Sequence, residues 1–571
     1  MKRKIYVLFM VMCMAMSSVT GCGKDAGTKA DTSYSTSLFD TTYVHKINVE
    51  IANEDWEDLK SNPTAKTKYS TKVTIDGNVL ENVSFATKGN SSLAQVASSD
   101  SDRYSFKLNF GKFVDGQTYQ GLDKLNLNNA MSDATYMKDY LSYAIMREAG
   151  VDAPLASYVE LSINGEVFGL YVAVEEVDES FLARNDKESD TALYKPESEQ
   201  LDMGDMGGMN FGDMELPEGM DFGNMEWPEG FGSGDMQIPG GFGSGSTSGG
   251  KERPSGSDSS SKERPSGFGS GDMELPEGFD PGNMQIPGGF GNGNMGSSFF
   301  GGSNGADLVY RDDNVESYAD IFDNTVNDVT EEDQKELITA IKTLSTGKKV
   351  EKSWDVDAVI SYFVAHNFVL NFDSYTGSML HNYYLMEEDG KVSVVPWDYN
   401  LAFGGFGMGM RSGASEGTAL VNYPIDTPLS GATEESRPLW NLIASNEDYM
   451  ETYHEKFSAL IENYFESGKC AEEIDRISSM IREYVENDPT AFYSVEEFDT
   501  AIETLKTFCN LRAESIRGQL SGTIPSTEEG QSKNSASLIQ ADDVTISDMG
   551  TQGGSKGDRD TDRDDKWDRN F

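Results

Sequence analysis

The chain has 571 residues, too many for one ordinary core, so several domains, or one domain with unstructured segments, are expected. Its 46 Lys and Arg against 96 Asp and Glu give a net charge of −50, which repels a phosphate backbone and excludes nucleic acid as a partner. Hydrophobic residues make up only 37 %, and Gly reaches 58. Part of the chain therefore packs no core.

The chain begins Met1-Lys2-Arg3-Lys4, runs apolar over residues 5–16 and reaches Val19-Thr20-Gly21-Cys22. A basic start and a short apolar stretch make a secretory signal, too short for a membrane-spanning helix. Its ending resembles a bacterial lipobox. That implies a signal over 1–21, a lipidated Cys22, a flexible tether over 22–40, and a place on the outer face of the cell membrane. Cys13 falls in the removed segment. Cys470 and Cys509 fall in predicted helices, and outside the cytoplasm a disulfide and two buried thiols are both open to them. Four His and two separated Cys form no zinc cluster.

Residues 41–195 mix strand and helix signals. His45, Ile47, Val49 and Ile51 alternate as in a half-buried strand. Residues 73–79 read as strand, turn, strand, and 105–110 as another strand. Over 132–150, Ser132 or Asp133 caps a helix, Met137, Leu141, Ile145 and Met146 stripe it, and Gly150 stops it. Residues 158–163, an Asn164-Gly165 turn and residues 168–174 make a hairpin.

Residues 198–305 are of another kind, dominated by Gly, Met, Pro, Asp and Glu. Gly212-Asp213-Met214-Glu215-Leu216-Pro217 recurs from Gly271, and Lys251-Glu252-Arg253-Pro254 recurs from Lys262. Such repeats bury no face and predict a disordered insertion. Helical periods return from residue 306: Val356, Val359, Ile360, Phe363, Val364 and Phe368 form one stripe, and 439–465, 471–485 and 495–520 give three more helices. The polar residues 521–571 read as a disordered tail.

The chemistry concentrates between residues 371 and 405. Asp373 follows a helix. Asn382 opens a strand that turns at Asp389-Gly390 into a second, and Asp398 lies just past its end. A hairpin thus brings Asn382 and Asp398 to one edge, with Asp373 before it. Asp and Asn oxygens are hard ligands suited to Mg²⁺, Mn²⁺ or Ca²⁺. Protein kinases use the same order of Asp, Asn and Asp, though at another spacing.

These residues resemble the CotH kinase family. The resemblance rests on Lys88-Gly89-Asn90-Ser91-Ser92, Ser105-Phe106-Lys107-Leu108, Lys124-Leu125-Asn126-Leu127, Gly169-Leu170-Tyr171 and Glu175-Glu176-Val177-Asp178. It continues in His381-Asn382-Tyr383-Tyr384 and Pro396-Trp397-Asp398-Tyr399-Asn400. It implies an α+β, bilobal, atypical protein-kinase-like fold. A β-rich N-lobe would span 41–175 and a mainly helical C-lobe 176–520, interrupted by the insertion. It also implies ATP with a divalent metal as cofactors and a secreted or cell-surface protein as substrate, phosphorylated on Ser or Thr.

Carried over, Asp373 would be the catalytic aspartate and Asp398 a metal ligand, with Asn382 a second. Asn400 stands where many members have another acid, so the site would hold its metal with less negative charge. Gly89, Asn90 and Ser91 would cover phosphates with backbone amides. Lys107, or in competition Lys88, would contact them by charge. Glu176 and Val177 would lie where a kinase hinge offers backbone groups to adenine. The helix acid that pairs with the lysine stays open among Asp133, Asp139 and Glu148. His366 and His381 read as structural. The rival expectation is a cell-surface binding or adhesion protein that keeps the fold without the chemistry; a third is a transferase using another phosphate or nucleotide donor.

Overall fold

Seven strands carry the N-terminal half: β1 (His45–Glu50), β2 (Tyr69–Ile75), β3 (Asn78–Thr87), β4 (Phe106–Asn109), β5 (Lys124–Asn128), β6 (Ala156–Ile163) and β7 (Glu166–Glu175). The computed structural model describes residues 30–198, 303–406 and 416–552. Cys22, the signal, the repeats of the insertion and the end of the tail lie outside the described residues.

The strands close into a barrel in the order β1-β2-β3-β4-β5-β7-β6, with β1 and β6 parallel and every other neighbour antiparallel. Alternation explains its interior. Ile47, Val49, Val73, Phe85, Phe106, Leu108, Leu125, Leu127 and Leu161 all enter one buried cluster. The turns at Asp76-Gly77 and Asn164-Gly165 take positive φ at both residues, as tight hairpins require.

Of the short helices among and after these strands, three bear on the site: α1 (Ser91–Ala97), α2 (Lys138–Glu148) and α3 (Glu179–Arg184). A second sheet of order β10-β9-β8 joins β8 (Ala192–Tyr194), β9 (Tyr383–Glu388) and β10 (Lys391–Pro396). The longer helices are α4 (Glu331–Thr346), α5 (Val356–Val369), α6 (Glu447–Leu460), α7 (Lys469–Glu486) and α8 (Val495–Leu520). The content is α+β, and the β-rich half takes the form of a closed barrel. Barrel and helices belong to one unit. A bolt joins them: Arg103 and Asp488, both with fully buried side chains, pair at 2.8 Å. Arg103 also donates to Thr490 Oγ1 and the Asn129 carbonyl, and Asp488 accepts the Leu170 amide.

Four local expectations need correction. The helix read over 132–150 begins only at Lys138, with Met137 and not Ser132 or Asp133 at its N-cap position; Asp133 Oδ2 accepts the Lys138 amide at 2.8 Å from the preceding turn. The helix read over 439–465 is broken, because Asn446 caps α6 by accepting the Asp448 and Tyr449 amides. Residues 521–552 are not a disordered tail. Ile546 and Met549 are buried, the Ala541 amide donates to Thr418 Oγ1, and the Ile539 amide donates to Asn422 Oδ1. Their apolar residues follow no helix or strand period, so the sequence pattern concealed the docking. Finally, Cys470 and Cys509 form no disulfide; both are buried free thiols, and contact with Cys470 raises the pKa of Cys509.

The two ends of the insertion meet at Asp320. Its carbonyl accepts the Glu197 amide at 2.9 Å, its amide donates to the Asn304 carbonyl, and its Oδ2 accepts the Asn304 amide at 2.7 Å.

Candidate functional site

The outer face of the barrel is where the polar residues of its strands collect. Because Phe106, Leu108, Leu125 and Leu127 point inward, Lys107, Asn126 and Asn128 point outward, and Lys107 lies opposite Asn126 in the ladder. Glu176, just past β7, meets them: its carboxylate lies 2.8 Å from Lys107 Nζ and accepts Asn126 Nδ2 at 2.7 Å. Burial alone would raise the Glu176 pKa, but Lys107 and Asn126 hold it down to about 2. Asn126 Oδ1 is buried without a hydrogen-bond partner.

Lys88, just past β3, donates to Asn128 Oδ1 at 2.8 Å and stands 5.6 Å from the Trp397 ring. Burial pushes its pKa down against the charge of Asp398. The Asn128 amide donates in turn to Asp139 Oδ2 at 2.8 Å. Burial and the neighbouring charge of Asp398 push the Asp139 pKa up.

The opposing elements supply the acids. Asp373 follows α5 through Leu370. His381 Nε2 lies 2.7 Å from Asp373 Oδ1, and Asn382 Nδ2 lies 3.1 Å from Asp373 Oδ2. Burial opposes protonation of His381, but contact with Asp373 and the charges of Asp398 and Glu197 outweigh it and raise its pKa. Asp398 follows β10; its amide donates to Tyr143 Oη at 3.0 Å, and the Tyr399 amide donates to Asp139 Oδ1 at 2.8 Å. His366 is fully buried beneath this turn, bonded to Tyr399 Oη and Thr376 Oγ1, and burial drops its pKa to about 3. Leu370, Leu380, Asn382, Asp398 and Phe403 all take left-handed φ between 52° and 60°. Non-glycine residues hold that conformation at a cost of roughly 1–2 kcal/mol each, and such strain collects at functional sites.

A comparison with protein families matches the CotH kinase protein description over residues 85–223 and 293–516. The chain belongs to the CotH kinase family. The family match lapses between 224 and 292, within the repetitive insertion. The chain is also similar to the inner spore coat protein H of Bacillus subtilis strain 168, at 32 % identity over 82 residues. That similarity covers 14 % of this chain and 22 % of the spore protein.

The CotH motifs map onto this geometry unevenly. Lys88, Lys107 and Glu176 share the barrel face, while Asp373 and Asn382 are in contact and Asp398 stands one turn beyond the hairpin. Asn400 is half-buried two residues further on. Asn90 precedes the helix α1, which opens at Ser91, and its Oδ1 accepts Lys66 Nζ at 2.6 Å. Gly89 holds φ 100°, and a Cβ there would fall 2.8 Å from Ser92 Oγ, so a side chain is excluded. Val177 is a fully buried core residue.

Sequence reasoning missed Asn126, Asn128 and Tyr143 as members of the site, left Asp139 as one of three open acids, and did not foresee that the Glu176 side chain bonds Lys107 and Asn126. The alternation of Leu125 and Leu127 with Asn126 and Asn128 was the available signal. Among the described residues a further acidic group, Asp123, Asp178 and Glu179, brings its oxygens within 4.8 Å of one another, with Lys124 3.2 Å from Asp178. A groove of about 850 Å³ lined by Met450, His454 and Leu520 shares none of the candidate site residues.

Proposed function

We propose that the protein is a kinase transferring the γ-phosphoryl group of ATP to a Ser or Thr hydroxyl of a secreted or cell-surface protein. The supporting observation is Lys88, which stands 5.6 Å from the Trp397 ring and feels the charges of Asp398, Lys107 and Glu176, so that the barrel face meets the turn that carries Asp398. The residues fit the cofactors. Asp398 with the carbonyl oxygens of Asn382 and Asn400 offers the hard donors a divalent cation takes. The orphaned, buried Asn126 Oδ1 calls for a polar ligand beside Lys107. We read the fold as bilobal and kinase-like, the barrel serving as the nucleotide-facing lobe.

ATP bound with a divalent metal supplies the electrophilic γ-phosphoryl and the ADP leaving group. Asp373, oriented by His381 and Asn382, accepts the proton of the attacking hydroxyl. Lys107, half-exposed and held by Glu176, neutralises phosphate charge, with Lys88 behind it. The basic start, the apolar run and Cys22 support a lipid anchor on the outer face of the bacterial membrane. The similarity to a spore coat protein supports a surface location.

The test is transfer from γ-labelled ATP to a panel of secreted proteins and basic peptides, with Mg²⁺ and Mn²⁺ in parallel. Transfer by the wild-type chain, lost in Asp373→Ala and demanding at least tenfold more metal in Asp398→Asn, is expected. A chain that shows neither transfer nor ATP-dependent thermal stabilisation would overturn the reading. One observation favours the adhesion alternative: both oxygens of Asp373 already have partners. Stabilisation by a surface ligand without nucleotide would support it.

A further inference from the structure

The geometry points to Asp139 as a positioning residue that couples the phosphate-facing Lys88 to the metal-binding turn at Asp398. This rests on the kinase reading and adds to it a residue outside the motifs that carry the family resemblance.

Asp139 sits in the first turn of α2 and is 4 % exposed. Its two oxygens serve two different parts of the site. Oδ2 accepts Asn128 Nδ2, and Asn128 Oδ1 accepts Lys88 Nζ, each at 2.8 Å. Oδ1 accepts the Tyr399 amide at 2.8 Å. Tyr143, one turn along the same helix, accepts the neighbouring Asp398 amide. Two consecutive amides of the turn are therefore held by one helix face, and that face also reaches the barrel lysine through a single amide group.

The turn needs such support. Asp398 has φ 53°, an unfavourable conformation for a residue with a Cβ, and fixing amides 398 and 399 is what holds its carboxylate in place. Asn128 is oriented without ambiguity: a cation on one side demands its carbonyl and a carboxylate on the other demands its NH₂. Movement of Lys88 toward a phosphate thus releases or shifts Asn128, which Asp139 passes to the Asp398 turn. Phosphate and metal binding become linked, and linkage acts equally in both directions.

The polarity of the relay supplies its own test. In Asp139→Asn, the new NH₂ confronts the Asn128 NH₂, and turning Asn128 over would point its NH₂ at Lys88. Either way one hydrogen bond becomes a repulsion. In the swapped pair Asn128→Asp with Asp139→Asn, Lys88 and residue 139 both donate to the carboxylate at 128, and the Tyr399 amide still finds a carbonyl. All three bonds return.

The full chain is titrated with Mn²⁺ at saturating ATP, reading both phosphoryl transfer and the shift in melting temperature. Asp139→Asn is expected to raise the Mn²⁺ midpoint about 10- to 100-fold and to lower kcat, leaving the KM for the protein substrate unchanged. The swapped pair is expected to return within about threefold of wild type, the scale of ordinary context dependence. An unchanged Asp139→Asn midpoint, or a swapped pair as impaired as the single variant, overturns the proposal while transfer by the wild type keeps the kinase reading. If Asp139→Asn does not fold, the swapped pair decides alone. A wild-type chain with neither transfer nor stabilisation overturns both.

Discussion

Glu176→Gln isolates the ion pair at the centre of the barrel face. The substitution keeps the shape and removes the charge that faces Lys107 and Asn126. The Glu176 carboxyl is 12 % exposed, and its pKa is lowered from an ordinary 4.5 to about 2. That difference corresponds to about 3 kcal/mol of stability at neutral pH. A depressed folded-state pKa means the contribution is full above pH 4.5 and is lost as pH falls toward 2. Urea unfolding of wild type and variant should therefore differ by about 3 kcal/mol at pH 7 and by about 1 kcal/mol at pH 3. A gap that stays constant from pH 7 to pH 3, or one below about 0.5 kcal/mol at pH 7, would refute the reasoning, since it would show an exposed pair rather than a buried one.

The same physics separates two arginines. Arg103→Met strands Asp488 in the interior and should cost about 3–5 kcal/mol in urea unfolding, whereas Arg482→Ala, whose exposed pair with Asp499 is solvated, should cost under about 1 kcal/mol. Cys470 and Cys509 should resist Ellman's reagent in the native chain and both react in urea; a chain releasing neither thiol in urea would reveal a bridge. Acid should expose a second titrating group: His366, held near pKa 3 by burial against an ordinary 6.5, makes stability decline as pH falls below 6.5. His366→Phe should flatten that part of the curve, and an unchanged slope would count against it.

Much of the barrel was legible because period-2 alternation is a local signal. Phe106 and Leu108 declared their strand, and Asn164-Gly165 declared its turn. Closure was not legible: pairing β1 with β6 joins residues more than a hundred positions apart, and nothing local encodes it. The acids of the hairpin could be read because Asn382 and Asp398 sit at the ends of one antiparallel pair. Glu176 was found as a position for its backbone, and its side-chain pairing with Lys107 was not read, since a strand terminus offers backbone and side chain alike. Asp139 remained one of three open acids, because its partners Asn128 and Tyr399 come from distant segments. Residues 521–552 were misjudged because composition averages over a segment, whereas docking needs only Ile546 and Met549 at the right places.

The clasp at Asp320 holds the two exits of the insertion together. Three backbone and side-chain bonds fix their spacing, and a longer connection between them costs closure entropy. That term grows logarithmically, by about 0.6 kcal/mol for each doubling of length. By this term alone, a doubling or halving of the repeats there changes the stability of the described core by under about 1 kcal/mol. The exits also stand beside the candidate site, since the Ser198 hydroxyl bonds the Met379 carbonyl and the Glu197 charge reaches His381.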